Sequence, residues 1–261
     1  MSKDTTKQKK PKSITRELGV TIIQVVLVVV ILRSFFFQPF VIPSGSMRPT
    51  ILVGDYVIAS KFAYGYSRYS FPFAPNLFSG RIWGAEPKRG DIAIFTHWSQ
   101  RDGKDVDYIK RVVGLPGDRI QMRQGVLYIN DEAVPRVKVG EINNPDVTGV
   151  NYPVEVYRET LPNGVSYNTF DLGLTEYDNT RVYTVRDNHF FMMGDNRDAS
   201  DDSRVSLGDI PYEEFIGRAN LIFFSIGNGA SAWQLWKWPA DVRWGRIGHS
   251  VNSIQFFPPE K

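Results

Sequence analysis

At 261 residues the chain is long enough for one large domain or two modest ones with a self-supporting core, and it has no cysteine, so disulfides, thiolate catalysis and Cys-based zinc sites are excluded. Its net charge of +3 is confined to one end: residues 1–17 carry a surplus of +4, which leaves −1 for the remaining 244. The body has no basic face by count, which excludes nucleic-acid binding.

The tail of residues 1–17 (Lys3, Lys7, Lys9, Lys10, Lys12 and Arg16 against Asp4 and Glu17) runs straight into Leu18 to Phe37, LGVTIIQVVLVVVILRSFFF. As a helix, ~20 residues span ~30 Å, the thickness of a bilayer core, so 18–37 is predicted to be a transmembrane anchor. Gln24 is tolerable there, and Arg33 sits near the end, where its stem stays in hydrocarbon and its guanidinium reaches headgroups. A cleaved signal peptide would need small residues at a cutting site after the apolar run. No alanine precedes Ala59, and the only small-x-small candidate is Ser44-Gly45-Ser46, so a retained, single-pass anchor is expected. Positive flanks stay in the cytoplasm, which places everything after Phe37 across the membrane.

Past the anchor, short apolar runs alternate with Gly, Pro, Asn and Asp. Strands are predicted at Tyr56–Ala59, Asp91–Thr96, Arg119–Met122, Val126–Ile129, Val182–Val185, His189–Met192 and Asn220–Ile226, with turns at Gln124-Gly125 and Asn130-Asp131. The predicted fold class is mainly β with non-local pairing. From Val134 to Thr180 the texture turns polar, with Asn-Pro, Pro-Asn-Gly and repeated Tyr, as in an insertion rather than a core. The aromatic segment 64–85 and Trp233, Trp236, Trp238 and Trp244 are of a kind that favours headgroups, and contact with membrane lipid is weighed there against ordinary packing.

Three clusters carry chemistry. Ser44-Gly45-Ser46-Met47 lies in a turn just past the anchor, where a hydroxyl can stand beside a backbone N–H, although such a turn is also an ordinary loop. A nucleophilic serine needs a base, and none of the three histidines, His97, His189 and His249, has a suggestive setting. The other option is Lys110, inside the apolar run Val106 to Gly114, where an alternating strand gives it a face shared with Tyr108 and Val112. An ordinary lysine is neutral in only a few molecules per ~10⁴ at pH 7. Lowering its pKa by roughly 2–3 units takes about 3–4 kcal/mol, which an apolar face can supply, although a strand-end lysine can equally be solvated. The third cluster, Met193 to Arg204, is a dense polar loop. Its Asp spacing does not follow a calcium loop and Arg197 and Arg204 compete as counter-ions, so it reads as a hydrogen-bonded scaffold with no metal.

With these clusters in hand, the chain resembles bacterial type I signal peptidase, the leader peptidase family. The likeness runs through Arg33-Ser34-Phe35, Gln38-Pro39-Phe40-Val41-Ile42, Pro43-Ser44-Gly45-Ser46-Met47, Gly54-Asp55, Lys88-Arg89-Gly90-Asp91, Tyr108-Ile109-Lys110-Arg111, Gly114-Leu115-Pro116-Gly117-Asp118 and the Gly-Asp-Asn-Arg loop ending Asp202-Ser203-Arg204. These blocks stand in the family's order. The resemblance implies an antiparallel β catalytic domain over 38–118 and 187–261, with a non-catalytic β-rich cap inserted over 119–186. It implies Ser46 as nucleophile and Lys110 as general base, with Ser44 and the Ser46 N–H stabilising the oxyanion and Ser200 orienting the lysine. Asp202 and Arg204 would be structural support, and Phe40, Ile42, Met47, Tyr108 and Ile109 would lie near pockets for small side chains one and three residues before the cut. It further implies a cofactor-free serine endopeptidase that removes signal peptides from exported preproteins at Ala-x-Ala sites, in the bacterial inner membrane with its catalytic domain periplasmic and the export machinery as a possible partner. One departure is Ala199, where the family usually has Asn before the orienting serine. A disulfide seen in some relatives cannot form here.

A membrane-anchored β adaptor of a secretion assembly would use the same anchor and fold without needing Ser46 or Lys110. A self-cleaving Ser-Lys regulator would need a scissile Ala-Gly or similar bond and a DNA-binding module, and neither is evident.

Overall fold

A computed structural model describes residues 14–76, 78–145, 151–227, 229–230 and 232–251; the basic tail through residue 13 lies outside them. Helix α1 (Ile14–Phe35) has 22 residues, or ~33 Å, and its side chains from Leu18 to Leu32 are almost all exposed. Apolar residues on every face give it no polar side to turn to water, the pattern of a span. It starts four residues before the expected anchor and stops two short of it: Phe37 is already the first residue of a strand. The helix is joined to the body by hydrogen bonds from the Lys61 N–H to the Phe36 carbonyl (3.0 Å) and from the Tyr66 hydroxyl to the Phe35 carbonyl (2.7 Å).

The body is mainly antiparallel β, as expected. Its strands are β1 (Phe37–Val41), β2 (Asp55–Ser60), β3 (Ile92–Ser99), β4 (Lys104–Gly114), β5 (Arg119–Arg123), β6 (Val126–Ile129), β7 (Glu132–Ala133), β8 (Arg136–Pro145), β9 (Asn151–Thr160), β10 (Ser166–Asp171), β11 (Tyr183–Thr184), β12 (His189–Met193), β13 (Ile210–Pro211) and β14 (Phe215–Ser225). The main sheet runs β1-β2-β14-β3-β4-β12-β13. Pro39 is accommodated because β1 is an edge strand, where a missing N–H is tolerated. The strand expected over 182–185 shortens to two residues, and the one expected from Asn220 begins five residues earlier, at Phe215.

Between Asp118 and Asp187 the chain builds two sheets of its own, β11-β5-β6-β7 and β10-β9-β8. Both expected turns form: Gln124 and Gly125 have φ of 50° and 73°, and Asn130 and Asp131 have 55° and 68°, the left-handed pair that joins two strands tightly. The inserted sheets share a core with the main one. Ile120, Met122, Leu127 and Ile129 pack with Val113 of β4 and with Phe191 and Met193 of β12. A second core, from Ile42, Met47 and Ile51 to Val57, Ile94 and Ile222, lies under the turn that carries Ser46.

Candidate active site

Ser46 is held from below. Ile42 ends the strand run by donating to the Asp55 carbonyl and accepting from the Gly54 N–H (2.9 and 3.0 Å). The chain then winds through two turns, Arg48 N–H to the Gly45 carbonyl (3.1 Å) and Ile51 N–H to the Met47 carbonyl (2.9 Å). Met47 and Ile51 are wholly buried and act as pegs, while Ser44 stays exposed. The fixed backbone leaves Ser46 nearly buried, with its hydroxyl 3.4 Å from that of Ser44. The Ser46 N–H donates to no acceptor among the described residues, so it is open to an oxyanion.

Lys110 reaches the same point from β4, where it pairs across the ladder with Ala93. Its Nζ lies 2.6 Å from Ser46 Oγ, and the residue is 4% exposed. Burial lowers its pKa to about 8, against the pull of the Asp202, Asp201 and Asp195 carboxylates and with a small push from Arg204. At pH 7 about a tenth of the molecules then hold a neutral amine, against a few per ~10⁴ for an ordinary lysine. A neutral amine within hydrogen-bond reach of a hydroxyl can take its proton. Two of the three histidines are engaged elsewhere, His97 Nδ1 with Glu214 (2.6 Å) and His189 Nδ1 with the Asp187 carbonyl (2.7 Å).

The polar loop after β12 clamps both halves. The Asn196 N–H donates to the Ser46 carbonyl (3.1 Å) and the Asn196 Nδ2 to the Gly45 carbonyl (3.1 Å). Asp202 accepts from the Gly194 N–H (3.0 Å) and from Arg204 Nε and Nη2 (3.0 and 2.8 Å). Burial alone would raise the Asp202 pKa, but Arg204 and these N–H groups hold it below the ordinary carboxylate range. Ser200 is buried close to Gly194, and its Oγ has no hydrogen-bond partner among the described residues. No bond joins it to Lys110. Ala199 is exposed, so the departure from the usual Asn falls on the surface side of the loop.

Four supporting residues were not singled out from sequence. Asp195 takes two hydrogen bonds from Arg111 (2.8 and 2.7 Å) and a third from Thr50, tying β4 to the Ser46 turn. Arg111 also donates to the Gly90 carbonyl (2.8 Å) and stacks on Tyr167 of the insertion. Gly194 passes so close that a Cβ would strike Ser200 Oγ and the Ser46 carbonyl. Glu159 of β9 holds Arg197 through two charge-assisted hydrogen bonds. Asp195 and Arg197 stand in a loop visible in the sequence; their partners Glu159, Arg111 and Thr50, 38 to 145 residues away, were not.

Phe40, Ile42, Tyr108 and Ile109 line one shallow cleft of about 260 Å³ with Ile94. Met47 is not on its surface but lies in the core that Phe40, Ile42, Ile94 and Ile109 also join. Three strands separate β1 from β4 in the sheet, yet both line this cleft, so the sheet curls around it.

Residues 15–224 match the family described as signal peptidase, peptidase S26. The chain is 42% identical to signal peptidase I of Rickettsia typhi (strain ATCC VR-144 / Wilmington), over 97% of this chain and 99% of that one. It is 43% identical to signal peptidase I of Rickettsia canadensis (strain McKiel), over 77% of each. A crystal structure of a signal peptidase I from Enterococcus faecalis V583 aligns at 25% identity over 51% of this chain and 97% of the other, with a TM-score of 0.30. The mainly antiparallel body behind one apolar helix is the frame of a membrane-anchored serine endopeptidase. The chain belongs to the signal peptidase family, peptidase S26.

Proposed function

We propose that this chain removes N-terminal signal peptides from exported preproteins after small residues, through an acyl-enzyme formed on Ser46 with Lys110 as general base. The observation that carries the reading is the 2.6 Å contact between a buried, easily neutralised amine and the Ser46 hydroxyl. Lys110 takes the Ser46 proton as Oγ attacks the scissile carbonyl. The oxyanion is held by the Ser46 N–H and the Ser44 hydroxyl, and Lys110 returns the proton to the leaving amine. Water, deprotonated in turn by Lys110, releases the acyl group. Ser200 is the candidate for orienting the amine, since its buried hydroxyl has bonding capacity to spare. Asp202 and Arg204 brace the loop that presents it.

An extended substrate alternates its side chains, so residues one and three before the cut face the same wall. The cleft of Phe40, Ile42, Tyr108 and Ile109, with Met47 packed into the core behind it, is shallow and mostly apolar, which suits small apolar side chains such as alanine there. Residues 38–118 and 187–261 form the catalytic part in this reading, and 119–186 a non-catalytic cap. No cofactor enters any step.

Helix α1 is read as a single span in the bacterial inner membrane, with the Lys-rich end cytoplasmic and the body periplasmic. A shared membrane plane brings the enzyme to the apolar segment of its substrate and leaves it open to partners in the export machinery. The exposed rings of Phe73, Trp83, Trp233, Trp236 and Trp244 suit contact with lipid headgroups. Quenching of tryptophan fluorescence by brominated phospholipid, with the full chain in liposomes and compared with a Trp233→Ser/Trp236→Ser variant, tests that contact; an equal quenched fraction in both would remove those two rings from it.

An adaptor would have no use for the Ser46–Lys110 contact. Incubation of the full chain with a preprotein, followed by N-terminal sequencing, is expected to show a new terminus after an Ala-x-Ala site. Unchanged cleavage by Ser46→Ala would end the proposal.

A further inference from the structure

A half-open cavity of about 590 Å³ lies where α1 meets the body, walled in part by Val29, Val30 and Arg33 of the helix, by Lys61, and by Asp105 and Asp107 of β4. The peptidase reading makes no use of it. Lys61 is 2% exposed. Its ammonium has three N–H donors and makes one hydrogen bond among the described residues, to the Ser70 carbonyl. Burial, together with the like charge of Arg33, lowers its pKa to about 8, and Asp107 offsets this only in part. Asp107 already accepts from the Thr96 hydroxyl (2.7 Å). The Arg33 side chain makes no hydrogen bond or ion pair among the described residues. Neither cation forms an ion pair with Asp105 or Asp107 of the same cavity among the described residues, so both are open to an anion, while the two carboxylates are open to a cation.

The surroundings select which anion. Val29 and Val30 precede Arg33 by one helical turn on an apolar helix, so the cavity opens at the end of the hydrocarbon stretch, the depth at which headgroups begin. Phe73, another wall residue, is fully exposed beside it, as an interfacial ring would be. A soluble anion would gain nothing from these apolar walls; a lipid phosphate carries chains that do.

We propose that this cavity is a phospholipid site, with the lipid phosphate between Arg33 and Lys61, an acyl chain along Val29 and Val30, and a headgroup ammonium toward Asp105 and Asp107. The site rests on the reading of α1 as a membrane span and is independent of the Ser46–Lys110 dyad. Occupation gives the unpaired cations and carboxylates direct partners and fixes the angle between the anchor and the body.

The full-length protein in detergent, titrated with dioleoylphosphatidylethanolamine and observed by native mass spectrometry, tests the site. One lipid retained per chain is expected for the wild type and equally for Ser46→Ala, with retention at least tenfold weaker in an Arg33→Gln/Lys61→Met double variant of unchanged melting temperature. If the double variant does not fold, Arg33→Gln alone carries the test, because that side chain holds no contact the fold needs. Equal retention by wild type and variant would overturn the site. Equal competition by dioleoylglycerol, which has the chains without the phosphate, would overturn it too, as would displacement by inorganic phosphate at the lipid's own concentration. Altered cut-site preference in the variant with lipid retention unchanged would assign the cavity to the substrate instead. Alkaline carbonate extraction checks the anchor separately: release of the chain from membranes would defeat the membrane-span reading whatever the lipid titration shows.

Discussion

Lys110 and Lys61 are both stripped of water and both drawn down to a pKa of about 8, yet their surroundings differ in kind. Lys110 points at a hydroxyl fixed by a pegged turn and ringed by a loop of paired charges. Lys61 points at a backbone carbonyl and shares a cavity with a second cation. Desolvation makes either amine easy to neutralise; only geometry gives one of them a proton to take. The contrast separates the two ingredients of a lysine base, a lowered pKa and a partner held within reach.

The largest expected effect breaks the Lys110 side of that contrast. Lys110→Arg keeps the charge but cannot release a proton at working pH, and Ser46→Ala removes the nucleophile. Each should lower kcat/KM for a preprotein by about 10⁴-fold, measured with stoichiometric controls against carry-over of wild-type enzyme. Next comes the frame. Asp195→Asn leaves the buried Arg111 guanidinium short of its counter-charge and should cost about 3–5 kcal/mol of stability, read from denaturant unfolding. The exposed pair Arg119–Asp131 is the internal control, and Asp131→Asn should cost under about 1 kcal/mol.

A smaller effect has the opposite sign. Because the folded pKa of Lys110 lies below its ordinary value, the folded state resists protonation, and stability attributable to this group rises with pH between about 8 and 10.5. Lys110→Met should therefore stabilise the protein at pH 7 by up to about 3 kcal/mol, and the gain should vanish by pH 10.5. A melting series across that range checks the sign. Smallest is Ser200→Ala, expected to lower kcat by about tenfold with KM little changed. Deletion of a hydroxyl that only fills space would leave kcat and its pH profile unmoved.

Much of this arrangement was legible in the sequence, for reasons that also mark the limit. Strands β2, β3, β5, β6 and β12 are short apolar runs between turn residues, and the Gln124-Gly125 and Asn130-Asp131 turns announced themselves by chemistry. Strand β1 went unpredicted: Phe36 and Phe37 continue the anchor's apolar run into its first residue, and Pro39 argues against a strand anywhere but at a sheet edge. Strand β14 was read late because Gly217 interrupts its pattern, and that glycine is there to let the Ser60 carbonyl approach. Strands β8 to β10 are rich in polar residues, and β9 and β10 bury some of them, Glu159, Asn168 and Thr169, beside Val156 and Phe170, so polarity does not mark their exposed faces. At the site, Ser46, Lys110 and the loop were picked out by local composition and family likeness. Arg111 with Asp195, and Glu159 with Arg197, are visible only once the chain is folded. Lys61 between Ser60 and Phe62 has the look of a solvated strand-end lysine until α1 and the aromatic loop cover it.

The most direct test is the pH dependence of kcat/KM for the full-length enzyme on a preprotein, which reports the titration of groups in the free enzyme. A rising limb with its midpoint near 8 and a plateau above it is expected if Lys110 works as a neutral amine beside Ser46. A limb near 6.5 would assign the base to a histidine, and a limb near 10.4 would belong to a solvated lysine; either result would contradict the dyad.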